Sequence, residues 1–289
     1  MRINERYINP FTDFGFKKLF GTDSNKDILL DFLNELLGKL EGKIVEADYL
    51  PKEQLGRAFG DRRAIYDICC KNEEEQTFIV ELQKAKQNYF KDRSIYYSTF
   101  PIQSQAKKGD WNFHLKSVYT VGILDFIFEN EDKEVFQHEI QLFNRHTQKI
   151  FFDKLTYIYL EIPKFLKREN ELETHFDEWL YVLKNLEHLT KKPLTINEKI
   201  FERVFRVAEI ANYSEDEYVE YEESLKVYRD LKNSINTAFD EGELRGRREE
   251  KLGIAFEMLK DGMEIEKIVK FTKLPEKEVL KLSKRMNNG

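Results

Sequence analysis

Two short apolar runs constrain this chain more than any other feature: Ala64-Ile-Tyr-Asp-Ile-Cys-Cys and Phe78-Ile-Val-Glu-Leu-Gln. Each has the β-branched and aromatic make-up of a strand, with a single acid in its middle. Such runs belong to a sheet covered on both faces, where a lone charge is costly unless something pairs with it. Asp67 and Glu81 therefore mark the place where this fold has to do something with charge.

What it does depends on hairpin register. Side chains alternate along a strand, so Ile65, Asp67 and Cys69 share one face, as do Ile79, Glu81 and Gln83. The polar stretch 72–75 fits the turn between the strands. Pairing Lys71 with Gln76 puts Asp67 opposite Val80, facing away from Glu81. Pairing Asn72 with Gln76, or Cys70 with Gln76, gives an odd-length loop and brings both acids to one face. Two carboxylates so placed repel, and a hard divalent cation relieves the repulsion, with the Leu82 backbone carbonyl as a third oxygen ligand. Such a donor set suits Mg²⁺ or Mn²⁺ better than Zn²⁺. A cation held this way activates water and shields phosphoryl charge, which points to phosphodiester hydrolysis. Gln83, two residues past Glu81, would orient the attacking water through its amide. The alternative is plainer: Asp67 pairs with Arg62 or Arg63, and Glu81 faces solvent at a strand end.

The rest of the chain predicts a mixed α/β core followed by helices. Thr12-Asp13 offers helix-start chemistry and Gly21 a stop. Residues 25–37 place Ile28, Leu29, Phe32, Leu33, Leu36 and Leu37 on one helical face, with Gly38 as the expected C-cap. Residues 44–50 precede a loop over 56–63. A helical pattern over 84–108 is expected to break or kink at Pro101. Strands are predicted over 117–126, 134–143 and 155–162. From about 167 the chain reads as helical, with a boundary at Gly242-Glu-Leu-Arg-Gly-Arg-Arg and short helices over 255–260, 265–270 and 276–284. This divides the chain into a core over 1–166, a helical extension over 167–240 and a small helical segment over 241–289.

Composition narrows the class. With 41% hydrophobic and 13% aromatic residues, the chain can fill a core. A net charge of −6 argues against a generic polybasic nucleic-acid coat but allows a local basic groove. The two cysteines, Cys69 and Cys70, are adjacent in a strand and point to opposite faces, so they build no disulfide framework. That fits a reducing cytoplasm. No apolar stretch is long enough to span a bilayer. The five histidines show no metal spacing.

A set of motifs in a fixed order is more specific: Asp13-Phe-Gly-Phe-Lys-Lys-Leu-Phe-Gly, Asn25-Lys-Asp-Ile-Leu-Leu-Asp-Phe-Leu-Asn, Asp67, Glu81-Leu-Gln, then Arg93, Tyr97, Gln105 and Gly109, and last Leu160-Glu-Ile-Pro-Lys-Phe. Over residues 7 to 166 this order resembles the PD-(D/E)XK nuclease family transposases, also called recombination-promoting nucleases. The resemblance implies a restriction-endonuclease-like mixed sheet core flanked by helices, and Mg²⁺-dependent DNA cleavage linked to mobile elements. It also implies that cleavage leaves 5′-phosphate and 3′-hydroxyl ends. By the resemblance Asp67 and Glu81 are metal ligands, Asp13 is a further acid near the metal, and Gln83 stands where the superfamily carries Lys. In such a nuclease the helix after Glu81 positions backbone phosphates, with Lys84, Arg93 and Gln105 as the DNA-binding residues; most other lysines there fit a solvated face. The alternative function is a catalytically weak or inactive member that binds DNA or oligomerises. The C-terminal segment, whose Leu274-Pro turn resembles a helix-turn-helix, carries nearly balanced charge and fits packing or a homodimer better than DNA contact.

Overall fold

The computed structural model describes residues 5–287 apart from 52, 55–63, 107–110 and 129–131. Arg62, Arg63 and Gly109 lie outside the described residues. The chain divides into two units, 1–228 and 229–289, and the boundary falls inside a long helix.

The first unit is built on a six-stranded sheet of order β1-β4-β5-β6-β8-β7. Its strands are β1 (Ala47–Tyr49), β4 (Ile68–Asn72), β5 (Thr77–Gln83), β6 (Val118–Leu124), β7 (Gln137–Asn144) and β8 (Lys149–Glu161). β5, β6 and β8 run parallel in the centre, with antiparallel neighbours on both sides. β2 (Glu53–Gln54) and β3 (Ala64–Ile65) form a separate small ladder. The central strands are apolar on both faces because helices cover both, as their near-continuous Val, Ile and Leu content requires.

On one face lie α1 (Asp13–Phe20), α2 (Lys26–Glu41), α4 (His175–Asn185) and α5 (Lys199–Ala208). Phe20, Phe32, Trp179 and Phe201 join Phe78, Val80, Tyr119 and Ile158 in one cluster there. α4 and α5 thus share the core of the sheet they follow, and do not form a separate layer. Thr12 caps α1 by accepting from the Gly15 N–H, and Gly21 ends it, as its sequence predicts. Gly15 is obligatory in this motif: a Cβ there would lie 2.2 Å from the Asn9 carbonyl oxygen. α2 runs past Gly38 and stops at Gly42, whose φ of 74° is the left-handed value that favours glycine.

The other face carries α3 (Phe90–Ser104). The helix does not break at Pro101, which sits inside it. Tyrosine hydroxyls fix it: Tyr159 donates to Ser94 Oγ at 2.8 Å, Tyr157 meets Ser98 Oγ at 2.7 Å, and Tyr66 donates to the Tyr97 carbonyl at 3.0 Å. Gly122 on β6 leaves room for the Tyr159 ring, since a Cβ there would lie 2.8 Å from ring carbon Cδ1.

α6 (Glu215–Lys260) runs through Gly242, Gly246 and Gly253, so the expected break at the glycine-spaced segment does not occur. The second unit combines its later part with α7 (Ile265–Thr272) and α8 (Glu276–Asn287) around Ala255, Ile268, Leu274 and Val279. No described helix is long and apolar enough to cross a membrane.

Candidate active site

The site forms where the first apolar run breaks. Ala64 to Cys70 is two strands, not one: β3 ends at Ile65 and β4 begins at Ile68, with a bend at Asp67. Asp67 Oδ2 accepts the Leu82 N–H at 2.8 Å, so a side chain takes the place of a ladder carbonyl and the strand turns. In return the Asp67 N–H donates to Glu81 Oε1 at 3.3 Å.

Register brings the two acids together. Ile68 pairs with Val80 and Lys71 with Thr77; continuing by one residue sets Asp67 opposite Glu81. The hairpin closes with Asn72 N–H on the Gln76 carbonyl at 3.1 Å, which is the odd-length loop the metal reading requires. Asn72 also accepts the Gln76 N–H through Oδ1 and donates to Gln76 Oε1, and Glu75 adopts φ 64°. The turn is thereby held by side chains as well as by its backbone.

Electrostatics mark the pair as under-compensated. Burial, with the Asp67 carboxylate second, pushes Glu81 up to about 8 against the opposing pull of the Asp67 N–H and Arg93. Burial also raises Asp67, assisted by Asp13 and opposed by the Leu82 N–H, Lys17 and Lys84. Strand alternation adds a third oxygen. The Gln83 carbonyl points to β6, where the Asp125 N–H donates to it at 2.9 Å. The neighbouring Leu82 carbonyl points the opposite way, with its own N–H, toward Asp67. Two mutually repelling carboxylates and a carbonyl make an all-oxygen donor set that fits a hard divalent cation. The pair sits at the carboxyl ends of the parallel strands, where open α/β sheets place their ligands.

The structure sorts the remaining expectations. Gln83 is buried, and its amide is engaged at both ends: Nε2 donates to the Ala85 carbonyl at 2.9 Å, and Oε1 accepts from Arg93. Arg93 also donates to Gln87 Oε1 at 2.8 Å. Arg93 is therefore held beside Glu81. Asp13 and Lys84 pair with each other at 2.7 Å. Among the described residues no group of three His, Cys, Asp or Glu side chains converges as a metal-ligand set; Asp13 acts on Asp67 as a neighbouring negative charge. Gln105 is not brought to the pair. Both its amide atoms bind the Lys116 backbone, at 2.7 and 3.2 Å. Lys116 precedes β6, whereas Glu81 aligns with Gly122, which puts Gln105 about 20 Å away along the strands. Lys17, one helical turn after Asp13, acts on Asp67 and was missed from the sequence; its i,i+4 spacing from Asp13 was the available signal.

The acid in Glu161-Ile-Pro-Lys-Phe has a different use. Fully buried at the end of β8, it accepts the Phe128 N–H at 2.7 Å and the Lys164 ammonium at 2.8 Å, and meets His138 Nε2. These bonds tie β8 to its flanking loops.

No curated protein and no solved structure matches the chain. A model of the PD-(D/E)XK nuclease family transposases matches residues 10–238. That span takes in α4, α5 and the first part of α6 as well as the sheet, and the mixed sheet with helices on both faces is the restriction-endonuclease-like fold the family implies. The chain belongs to the PD-(D/E)XK nuclease family transposases.

Proposed function

We propose that the protein is a Mg²⁺-dependent DNA endonuclease whose Asp67 and Glu81 hold the cation. The observation that carries this reading is the register: the hairpin sets the two acids directly opposite each other, where burial and their mutual repulsion disfavour both charges. Asp67, Glu81 and the Leu82 carbonyl are the ligands, and Mn²⁺ suits the same oxygens. A cation so bound supplies Lewis-acid activation of water and neutralises charge that builds on the phosphate. The chain's own residues do the rest. Arg93, fixed by Gln83 and Gln87, places a guanidinium beside Glu81, where it can hold a phosphate oxygen of the substrate. Gln83 keeps one N–H for a water, since Ala85 takes the other. Lys84 and Lys17 add positive charge on the Asp67 side, which compensates for the absence of Lys at position 83.

One observation favours a second reading, a non-cleaving DNA-binding protein: position 83 carries an uncharged amide that is already engaged. Plasmid nicking separates the two. Supercoiled DNA incubated with wild type and Mg²⁺ or Mn²⁺ is expected to open, with EDTA stopping the reaction. Asp67→Ala and Glu81→Ala should each lower the rate by at least about 100-fold while keeping the fold. Equal nicking by all three proteins refutes the assignment, and no nicking by wild type favours the second reading.

A further inference from the structure

We infer that the groove on α3 beside the carboxylates binds an unpaired nucleotide of the DNA strand, so that the substrate is DNA with a single-stranded stretch next to the cleaved phosphate. The inference rests on the nuclease reading and narrows its substrate class.

Tyr89 is the starting point. It precedes α3 with φ 63°, in the left-handed region that bulky side chains rarely adopt. Its ring is 79% exposed and so gains no burial that would offset the strain. An observed backbone outlier with an unburied aromatic ring is the kind of strain that marks a ligand contact. Tyr89 lines a groove of about 740 Å³ together with Tyr96, Tyr97, Arg93, Gln87 and Asp92, which is ample room for a nucleotide.

The lining identifies the occupant. No aliphatic side chain contributes to the groove, so it does not suit the Leu, Ile or Met anchors of a protein helix. Tyrosine ring faces and a guanidinium are what a nucleobase stacks on, and Gln87 supplies an amide for a base edge. In a paired duplex the base faces are covered by their neighbours, so only an unpaired base can use these rings. The groove carries one Arg against one Asp, which is not the excess of positive charge that a duplex backbone requires. Arg93 connects groove and site: its guanidinium lies 5.6 Å from the Tyr97 ring centroid and donates to Gln83, two residues from Glu81. A base seated on the tyrosines therefore belongs to a strand whose backbone passes the carboxylate pair.

The test is fluorescence anisotropy in EDTA, so that binding is read without cleavage. The probes are labelled oligo(dT), a blunt duplex, the same duplex with a dT overhang, and oligo(rU). Wild type should bind oligo(dT) and the overhang duplex more tightly than the blunt duplex. Tyr89→Ala should weaken those two by roughly fivefold or more, the loss of one stacking contact, while Tyr89→Phe retains them. Tyr89 is exposed, so neither variant threatens the core. Equal wild-type binding to blunt and overhang duplexes, or an unchanged preference in Tyr89→Ala, overturns the inference. Tighter binding of oligo(rU) than oligo(dT) overturns the choice of DNA. Metal-dependent plasmid nicking judges the nuclease reading separately: a protein that nicks but shows no single-strand preference defeats only the groove, and one that shows the preference but never nicks defeats only the chemistry.

Discussion

At the scale of single residues, the account turns on two acids whose environment disfavours their charge. Glu81 is raised from 4.5 to about 8, so the folded protein holds its proton more tightly than the unfolded chain does. The metal-free protein therefore loses stability as pH rises from about 4.5 to about 8, and this group costs nothing further above that. Glu81→Gln removes the charge and keeps the shape. In EDTA above pH 8 it should melt a few degrees higher than wild type, about 2–4 °C for each kcal/mol of repulsion relieved. Added Mn²⁺ should raise the wild-type transition and leave the variant's unchanged. A variant that melts at or below wild type in EDTA contradicts the electrostatic reading. The acids themselves were legible in the sequence, because a carboxylate inside an apolar run stands out. Their register was legible only as a condition. The turn length is chosen by Asn72 and Gln76, which bond to each other through side chains, and by Glu75 adopting a left-handed backbone. Gln105, placed by the resemblance among the residues of the helix that contact DNA, is carried by α3 back along the sheet to the Lys116 backbone.

At the scale of elements, polar ties set where the helices sit. His175 on α4 reaches Asp31 on α2 through Nε2 at 2.7 Å and Glu178 through Nδ1 at 3.1 Å, while the Trp179 indole donates to the same Asp31 oxygen. Burial alone would lower the His175 pKa, but its carboxylate partners outweigh that and hold it at about 9. Since the folded value lies above 6.5, this tie contributes fully below about pH 6.5 and is lost as pH rises through about 9. Thermal melts of wild type and His175→Asn across that range should converge at high pH. A stability gap between them that stays constant from pH 6 to 10 would contradict the assignment of the imidazolium. Element types were mostly legible, since the apolar stripe of α2 and the strand content of β5, β6 and β8 follow simple periods. Their ends were less so. Gly38, Gly242 and Gly246 were read as stops or boundaries, yet each sits in a helix with nothing within 4 Å of its absent Cβ. A helical glycine costs only about 1 kcal/mol, a penalty that pairs along α6 such as Glu243–Arg247 offset in part.

At the scale of the whole molecule, the sheet does not end its own core. Trp179, Leu183, Phe201, Val204 and Tyr221 are buried in the same cluster as Phe16, Phe20 and Phe32. The Tyr221 hydroxyl accepts the Asn9 N–H at 2.8 Å, and Ile8 bonds to the Ala208 carbonyl at 3.0 Å. A chain cut after residue 166 leaves α1 and α2 with an uncovered apolar face and should lose its cooperative unfolding transition, as followed by near-ultraviolet circular dichroism. A sharp two-state transition in that fragment would show that the later helices are dispensable. The sequence suggested a boundary at 166 because composition shifts there from strands to charged helices. The buried face of α4 depends on partners far away in the chain, such as Phe20 and Phe32 packed against Trp179. No local pattern encodes that pairing. The central claim, that Asp67 and Glu81 together form one divalent-cation site, is tested most directly by Mn²⁺ titration of the full-length protein monitored by electron paramagnetic resonance. Wild type should bind Mn²⁺ at a site that Mg²⁺ competes for, and Asp67→Asn and Glu81→Gln should each abolish it. Unchanged Mn²⁺ binding in both variants would contradict the account.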